Sequence, residues 1–475
     1  MTIDCTRFFI NGAWHAMPDR AQRVHLSPAS GSPCAILAMG TAEDADQAVR
    51  AAHAAFPEYS QTSIPERLAI LDRVIAGLRA RSEDLAQAVS CEMGAPIAFA
   101  RSAHVGSGLA HLLTARRILA DYPFETARGT TVIQREAIGV CALITPWNWP
   151  LNQVMCKLAP ALATGCSVVL KPSELAPLSA DLLGQIMAEA GLPAGVFNLV
   201  HGEGPAVGAA LATHPLVDMI SFTGSTRAGR AVAHAAADTI KRVTLELGGK
   251  SPNLLLEDAD FGRAVTVGVH SCFSNAGQSC NAPTRMLVPE TRLAEVMALA
   301  QQAAARVQPG DPALEGTRLG PVVSEAQFAR VQDLIQAGIN EGASLVWGGP
   351  GKPAGLEAGN YVRPTIFANV HNTMRIAREE IFGPVLCILS YRNEDEAVAI
   401  ANDSDYGLSG QVWGEGEHAR RVARRLRTGM VHINGAGMDF NAPFGGYRQS
   451  GNGREWGLEG FEDYLETKAL LGDLA

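Results

Sequence analysis

From Ser167 to Gly191 the chain reads SVVLKPSELAPLSADLLGQIMAEAG, and the fold class turns on this stretch. SVVL is a short apolar, β-branched run stopped by Lys171-Pro172, as a buried strand would be. LSADLLGQIMAEA then carries apolar residues at helical spacing and ends at Gly191. A strand that hands over to a helix, instead of turning back on itself, belongs to a parallel sheet. The unit recurs, with VFNLV before AVGAALATH and MISFTGS before RAGRAVAHAAA. Beyond Lys250 a second series follows: TRMLVP with ETRLAEVMALAQQAAARV, AQFARVQDLIQAGINEG with SLVWGG, and CILSY with EDEAVAIAND. Two α/β lobes are therefore expected, joined near Gly248-Gly249.

Other segments read differently. TRFFINGAWHAM is a predicted hairpin turning at Asn11-Gly12, and residues 41–93 are predicted helical. Alternation through TTVIQREAIGVCALIT predicts a second hairpin between Ala127 and Thr145. The closing FEDYLETKALLGDLA predicts a strand that pairs outside its own lobe.

At 475 residues the chain exceeds what one core supports, which again requires several lobes. Hydrophobic residues at 47% and charged residues at 18% give an ordinary globular balance. A net charge of -9 argues against nonspecific nucleic-acid binding, and no nucleic-acid partner is expected. No apolar run approaches the ~20 residues of a membrane span. The start, MTIDCTRFFINGAW, lacks a cationic segment before an apolar one, so a cytoplasmic location is expected. The nine cysteines are scattered with no C-x-x-C pair, which predicts neither a disulfide framework nor a metal site.

Several short stretches carry chemistry. In SNAGQSCNAPTR, Ser274 to Arg285, loop residues surround Cys280, a packed hydrophobe or a nucleophile. TPWNWP, Thr145 to Pro150, is stiff and presents Asn148, an amide donor suited to an oxyanion, or is a structural turn. LELGGK sets Glu246 between leucines, where a raised pKa would make it a base near neutrality; a solvated strand end is the commoner case. KPSE offers Lys171 and Glu174 at a strand's carboxyl end, for a ribose or as a surface pair. SFTGS offers Gly224 and Ser225 at a helix start, for a phosphate or as a plain cap. GEGPAVG, Gly202 to Gly208, nearly matches a dinucleotide fingerprint but has one residue too many.

Together ITPWNWP, LKPSE, SFTGS, LELGGKSP, NAGQSC, EEIFGPV and PFGGYRQSGNGRE resemble the NAD(P)-dependent aldehyde dehydrogenase superfamily in order and spacing. The resemblance spans nearly the whole chain. It implies an α/β fold with two Rossmann-like parallel-sheet lobes, cofactor-binding and catalytic, plus a β-hairpin oligomerisation arm. The implied cofactor lobe covers 1–122 and 142–247, the catalytic lobe 248–448, and bridging segments 123–141 and 449–475. The arm would be the hairpin around Thr130 to Cys141, with the last strand beside it, in a homodimer or homotetramer.

Carried over by position, the resemblance makes Cys280 the nucleophile, Glu246 the base and Asn148 the oxyanion donor. Lys157 and Glu455 become groups close to the site. Lys171 and Glu174 would contact the adenosine ribose, and Gly224 and Ser225 the pyrophosphate. Glu380 and Phe382 would place the nicotinamide end. Ile144, Thr145, Pro146 and Trp147 are assigned to the same cofactor site, as are Ser173, Gly204, Phe222, Thr223 and Leu247. Trp149, Gln153, Cys156, Phe273, Ser279, Asn281 and Phe444 are expected near the substrate. That set is rich in aromatics and free of cations, which suits an apolar, aromatic or medium-chain aldehyde. The implied reaction is oxidation of an aldehyde to a carboxylic acid through a thiohemiacetal and a thioester. NAD is expected over NADP because Glu174 would repel a 2′-phosphate. A dehydrogenase passing its acyl group to coenzyme A, or a silent crystallin-like structural protein, is the alternative. The sequence departs from commoner family wording at NAPTR after Cys280 and at Arg448, where lysine is frequent.

Overall fold

The computed structural model describes residues 2–474 and contains two parallel sheets that meet edge-on to a cleft. In the first, five strands run parallel in the order Arg242–Glu246, Met219–Thr223, Val140–Ile144, Ser167–Lys171 and Phe197–Leu199. Four of them, Met219–Thr223, Val140–Ile144, Ser167–Lys171 and Phe197–Leu199, are buried at every residue. That is why they read as unbroken apolar runs and not as alternating ones. Helices cover both faces over two separate cores. The Arg7–Ile10 and Ala13–Ala16 hairpin closes one edge, with Asn11 and Gly12 both at positive φ as a tight primed turn requires.

The chain passes from Val140–Ile144 outward to Phe197–Leu199, then returns to the other side of Val140–Ile144. The strand order reverses there, and the crevice at such a reversal is where α/β sheets hold ligands. The second sheet has seven strands, six of them parallel, over one large core. Along the chain, Arg242–Glu246 of the first sheet is followed by Pro252–Leu255, the first strand of the second, with Gly248-Gly249 between them.

Helices start where local chemistry provides caps. Ser63 accepts from the Glu66 N–H while the Glu66 carboxylate accepts from the Ser63 N–H, which opens Ile64–Ala80. Ile70, Leu71, Val74, Ile75 and Leu78 form its buried stripe. Inside the second lobe, the fully buried Arg285 donates to the carbonyls of Lys250, Ile400 and Ala401 and to Asn372. Burial pushes its pKa down to about 10.

The second hairpin differs from its sequence reading. Thr131–Ala137 pairs back onto Glu125–Arg128, not forward onto Val140–Ile144, which lies inside the first sheet with Cys141 fully buried. The β-branched run is one strand of the arm and one of the core, with Gly139 at φ +136 between them. A side chain there would strike Asp218, whose carboxylate accepts from the Val140 N–H. The closing strand, Leu465–Leu471, pairs with Thr131–Ala137 and completes a three-stranded arm. No helix among the described residues is long and apolar enough to cross a membrane.

Candidate active site

A cleft of about 540 Å³ opens over the carboxyl ends of the first sheet's strands at the order reversal. One wall is Pro146, Trp147 and Asn148, following strand Val140–Ile144. Another is Thr223, Gly224 and Ser225, following Met219–Thr223, and Glu246 and Leu247 close the floor. Cys280, Glu380 and Phe382 reach in from the second lobe. Residues scattered over more than two hundred positions thus meet at one opening.

Cys280 is held by backbone contacts. A Cβ on Gly249 would lie 2.2 Å from the Cys280 carbonyl oxygen, and one on Gly277 would lie 2.0 Å from the Gly383 oxygen. Gly277 is also left-handed at φ +71. The Asn148 amide donates to the Gln278 carbonyl at 3.0 Å, which ties it to the Cys280 loop and leaves its second N–H free of that bond. Burial first, and then Glu380, Glu246 and Glu455, raise the Cys280 thiol above its ordinary value. The Asn281 N–H bonded to the sulfur opposes this. With the chain alone the thiol form is favoured.

Glu246 is 3% exposed, and neither carboxylate oxygen has a hydrogen-bond partner. Burial, reinforced by Glu455, raises its pKa well above the ordinary range, and Lys157 works against the rise. Gly445 leaves it room, since a Cβ there would come within 2.6 Å of Oε1. Lys157 is fully buried and paired with Glu455, which also accepts from the Cys156 thiol at 3.2 Å. Burial works against the Lys157 ammonium, but Glu455 holds it charged.

Glu380 accepts from the Gly249 N–H at 3.1 Å, and burial raises its pKa to about 7. Phe382 adopts φ +57, unusual for an aromatic residue, with its ring edge-on to Trp147 at 5.4 Å. Gln327 and Arg330 fix that turn by donating to the carbonyls of Phe382 and Glu380 at 2.8 and 2.9 Å. Sequence reading missed both, because polar residues along a helix look like an ordinary wet face.

Other expected cofactor residues lie outside the cleft lining. Ile144 and Phe222 turn into the core beneath the first sheet, so they can offer only backbone. Thr145 is buried with its hydroxyl unpartnered. At the end of the neighbouring strand, Lys171 is buried, donates to the Pro172 carbonyl and lies 3.6 Å from the half-buried Glu174. Burial lowers the Lys171 pKa. Ser173 caps a turn by accepting from the Leu175 N–H. Gly204 is exposed at the start of a π-helical turn, with open space around it.

On the far side of Cys280 an apolar cluster joins Cys156, Leu408, Phe444 and Trp456, with Met430 and Phe440 packed against it. Phe444 stacks on Trp456 at 4.5 Å, and Phe440 lies 5.2 Å from the same ring. Trp149 donates to the Ser279 hydroxyl at 2.8 Å, and Gln153 is buried with its oxygen unpartnered. Phe273 does not join them. It is 1% exposed within the second lobe's core, because its place on helix Phe261–Phe273 turns it away from the cleft. Trp456 was missed: it takes φ +63, a conformation that no sequence signal announces for tryptophan.

The profile of the aldehyde dehydrogenase family matches residues 15–470. The chain belongs to that family. A 3-succinoylsemialdehyde-pyridine dehydrogenase from a Pseudomonas species is 54% identical over 471 residues, covering 99% of each chain. A Cys→Ala mutant of Aldehyde Dehydrogenase C from Pseudomonas syringae, solved with NAD+ and octanal, superposes with a TM-score of 0.98. It is 57% identical, covering 99% of this chain and 97% of that one. Indole-3-acetaldehyde dehydrogenase from the same species, solved with NAD+ and IAA, has a TM-score of 0.95 at 39% identity, covering 98% and 96%. The protein is an NAD-dependent aldehyde dehydrogenase that oxidises an aldehyde to the acid. Its cleft fits a dinucleotide: Gly224 and Gly248 line it where a Cβ would strike the Phe222 ring and the Glu380 carboxylate, and the buried Thr223 hydroxyl lacks a partner.

The glycine contact at the lobe junction gives a direct test. Gly249→Ala forces the Cys280 carbonyl to move, so turnover falls about tenfold or more. Slower alkylation of Cys280 should accompany the loss, with helical circular dichroism unchanged; wild-type turnover would refute the contact's importance.

Proposed function

We propose that Cys280, Asn148 and Glu246 carry out the oxidation in two steps, acylation of the thiol and hydrolysis of the thioester. The observation that supports this is their shared cleft, with a buried, unpartnered carboxylate opposite the thiol. In the first step the Cys280 sulfur attacks the aldehyde carbon and forms a tetrahedral thiohemiacetal. Asn148 and the Cys280 N–H donate to its oxygen, which develops negative charge in a site where dipoles need not reorient. Bound NAD supplies the hydride acceptor, and its positive ring offsets the carboxylates that hold the free thiol protonated. Glu380, Phe382, Gly224 and Ser225 would hold the cofactor in the cleft, with Lys171 and Glu174 towards its adenosine end. Loss of hydride leaves a thioester on Cys280. Glu246 then takes a proton from water, which attacks the acyl carbon and releases the acid and the thiol. Lys157 and Glu455 stand behind this base and bias its charge.

The aromatic wall of Phe440, Phe444, Trp456 and Trp149 favours an apolar or aromatic aldehyde tail. Glu174 favours NAD over NADP. Glu246 argues against transfer to coenzyme A, which needs no water-activating base. The main parallel strands support a division into lobes at 1–122 and 140–247 for the cofactor and 248–448 for catalysis. Residues 123–139 and 449–475 bridge subunits of a homodimer or homotetramer in the cytoplasm. Light scattering that found only monomer would remove the last statement.

An aldehyde panel run with NAD and with NADP should give free acid without added thiol and higher efficiency with NAD. It should also favour apolar tails over carboxylate-bearing ones. Equal use of NADP, or turnover of carboxylate-bearing aldehydes alone, would overturn the respective assignment. Cys280→Ala should abolish NADH formation, whereas Cys272→Ala, buried in the second core, should largely spare it. Glu246→Gln should still give a first burst of NADH but stall at the thioester, seen by mass spectrometry. Both Cys280 and Glu246 ionise above their ordinary values. Their working forms are the deprotonated ones, so kcat/KM should rise as pH increases through neutrality; a rate that fell over that range would contradict the roles.

A further inference from the structure

We infer that Asn275 and His104 are positioning residues that hold the Asn148 amide in register with the Cys280 loop. The inference rests on the roles proposed above for Asn148 and Cys280.

Just before the nucleophile the backbone is left-handed three times running, at Asn275 (φ 54), Ala276 (φ 54) and Gly277 (φ 71). Only the third is a glycine, so the first two are strained and persist because surrounding bonds over-determine them. The Asn275 amide makes those bonds. Its Nδ2 donates to the Asn148 carbonyl at 2.8 Å and to the Gln278 carbonyl at 3.3 Å. The Asn148 amide donates to the same Gln278 carbonyl at 3.0 Å. Gln278, fully buried, returns a bond to the Asn275 carbonyl and accepts from the Val323 N–H. The oxyanion segment and the thiol loop are thus stitched through one side chain.

His104 fixes which way that side chain faces. With Nδ2 committed to two carbonyls, Oδ1 of Asn275 points to His104 Nε2, 3.3 Å away. A carbonyl oxygen can only accept, so the proton lies on Nε2. Burial pushes the His104 pKa down to about 3, so the ring stays neutral in this tautomer. Its face stacks on Trp149 at 4.4 Å and 21°, and Trp149 donates to Ser279 beside the nucleophile. One ring therefore touches both segments, Asn148-Trp149 directly through the stack and Asn275–Ser279 through the hydrogen bond. It reaches this place from the π-helical turn Ala100–Val105, whose extra residue per turn shifts side chains out of α-helical register.

The test compares Asn275→Ala, His104→Phe and His104→Gln in the full-length enzyme, with Asn148→Ala as reference. The readouts are the pre-steady-state NADH burst, iodoacetamide alkylation of Cys280 and the pH profile. Asn275→Ala and His104→Phe should slow the burst about tenfold or more, in the direction of Asn148→Ala. Alkylation and the KM for NAD should change by less than about twofold, since sulfur and cofactor site are untouched. His104→Gln restores an N–H donor and should recover most of the loss seen in His104→Phe. The pH profile should keep its shape throughout, because His104 does not titrate near neutrality. If Asn275→Ala fails to fold, the His104 pair decides alone. A wild-type burst in His104→Phe, equal loss of burst and alkylation, or a vanished pH limb would overturn the inference. Full activity in Asn148→Ala would overturn the oxyanion assignment itself, and this inference with it.

Discussion

Backbone packed directly on backbone at the lobe junction is the constraint on which the site depends. Gly249 has no side chain where the Cys280 carbonyl lies, and Gly277 has none where the Gly383 carbonyl lies. The first approach brings the Cys280 loop onto the junction between the lobes, and the second braces that loop within the second lobe. Only there do the thiol, the Asn148 amide and the Glu246 carboxylate face one opening. Glu246 itself is set by the antiparallel pairing of its strand with Gly451–Asn452, so the late segment that leads to the arm also shapes the floor. The three-stranded arm and the cleft floor thus draw on consecutive parts of one strip of chain.

The site is electrostatically unfavourable to its own reagents before ligands arrive. Burial first, and then the carboxylates of Glu380, Glu246 and Glu455, keep Cys280 a thiol. Lys157 is committed to Glu455 and compensates only part of that charge. On the mechanism proposed above, a cationic ring entering the cleft would change that balance at the Cys280 sulfur. The thiol form favoured in the chain alone is a weak nucleophile, so the reactive state would be assembled together with the cofactor. The same burial that raises Glu246 makes it a stronger base when it does ionise, which suits it to water rather than to a resting ion pair.

Much of this was legible in the chain because it is local. The runs SVVL and MISFT give buried strands, and Asn11-Gly12 gives a turn, through the intrinsic preferences of a few neighbouring residues. Motif order carried Cys280, Glu246 and Asn148 to one cleft. Errors arose where identical local signals have two tertiary outcomes. TTVIQREAIGVCALIT alternates as a hairpin would, yet the pivot at Gly139 sends its halves to different sheets. Phe273 was expected near the substrate from the resemblance, but the last turn of its helix points it into the core.

Sequence alone determined the α/β class, the alternation that builds two sheets, and the residue types available for thiol chemistry, since each depends on periodicity or side-chain identity within a short window. Tertiary structure alone decided the rest: the left-handed Trp456 and Phe382, the Gln327 and Arg330 clamps, and the Asn275–His104 stitch behind Asn148. Those features join segments up to 171 residues apart. Their energies exist only once packing excludes water and limits the partners each polar group can reach.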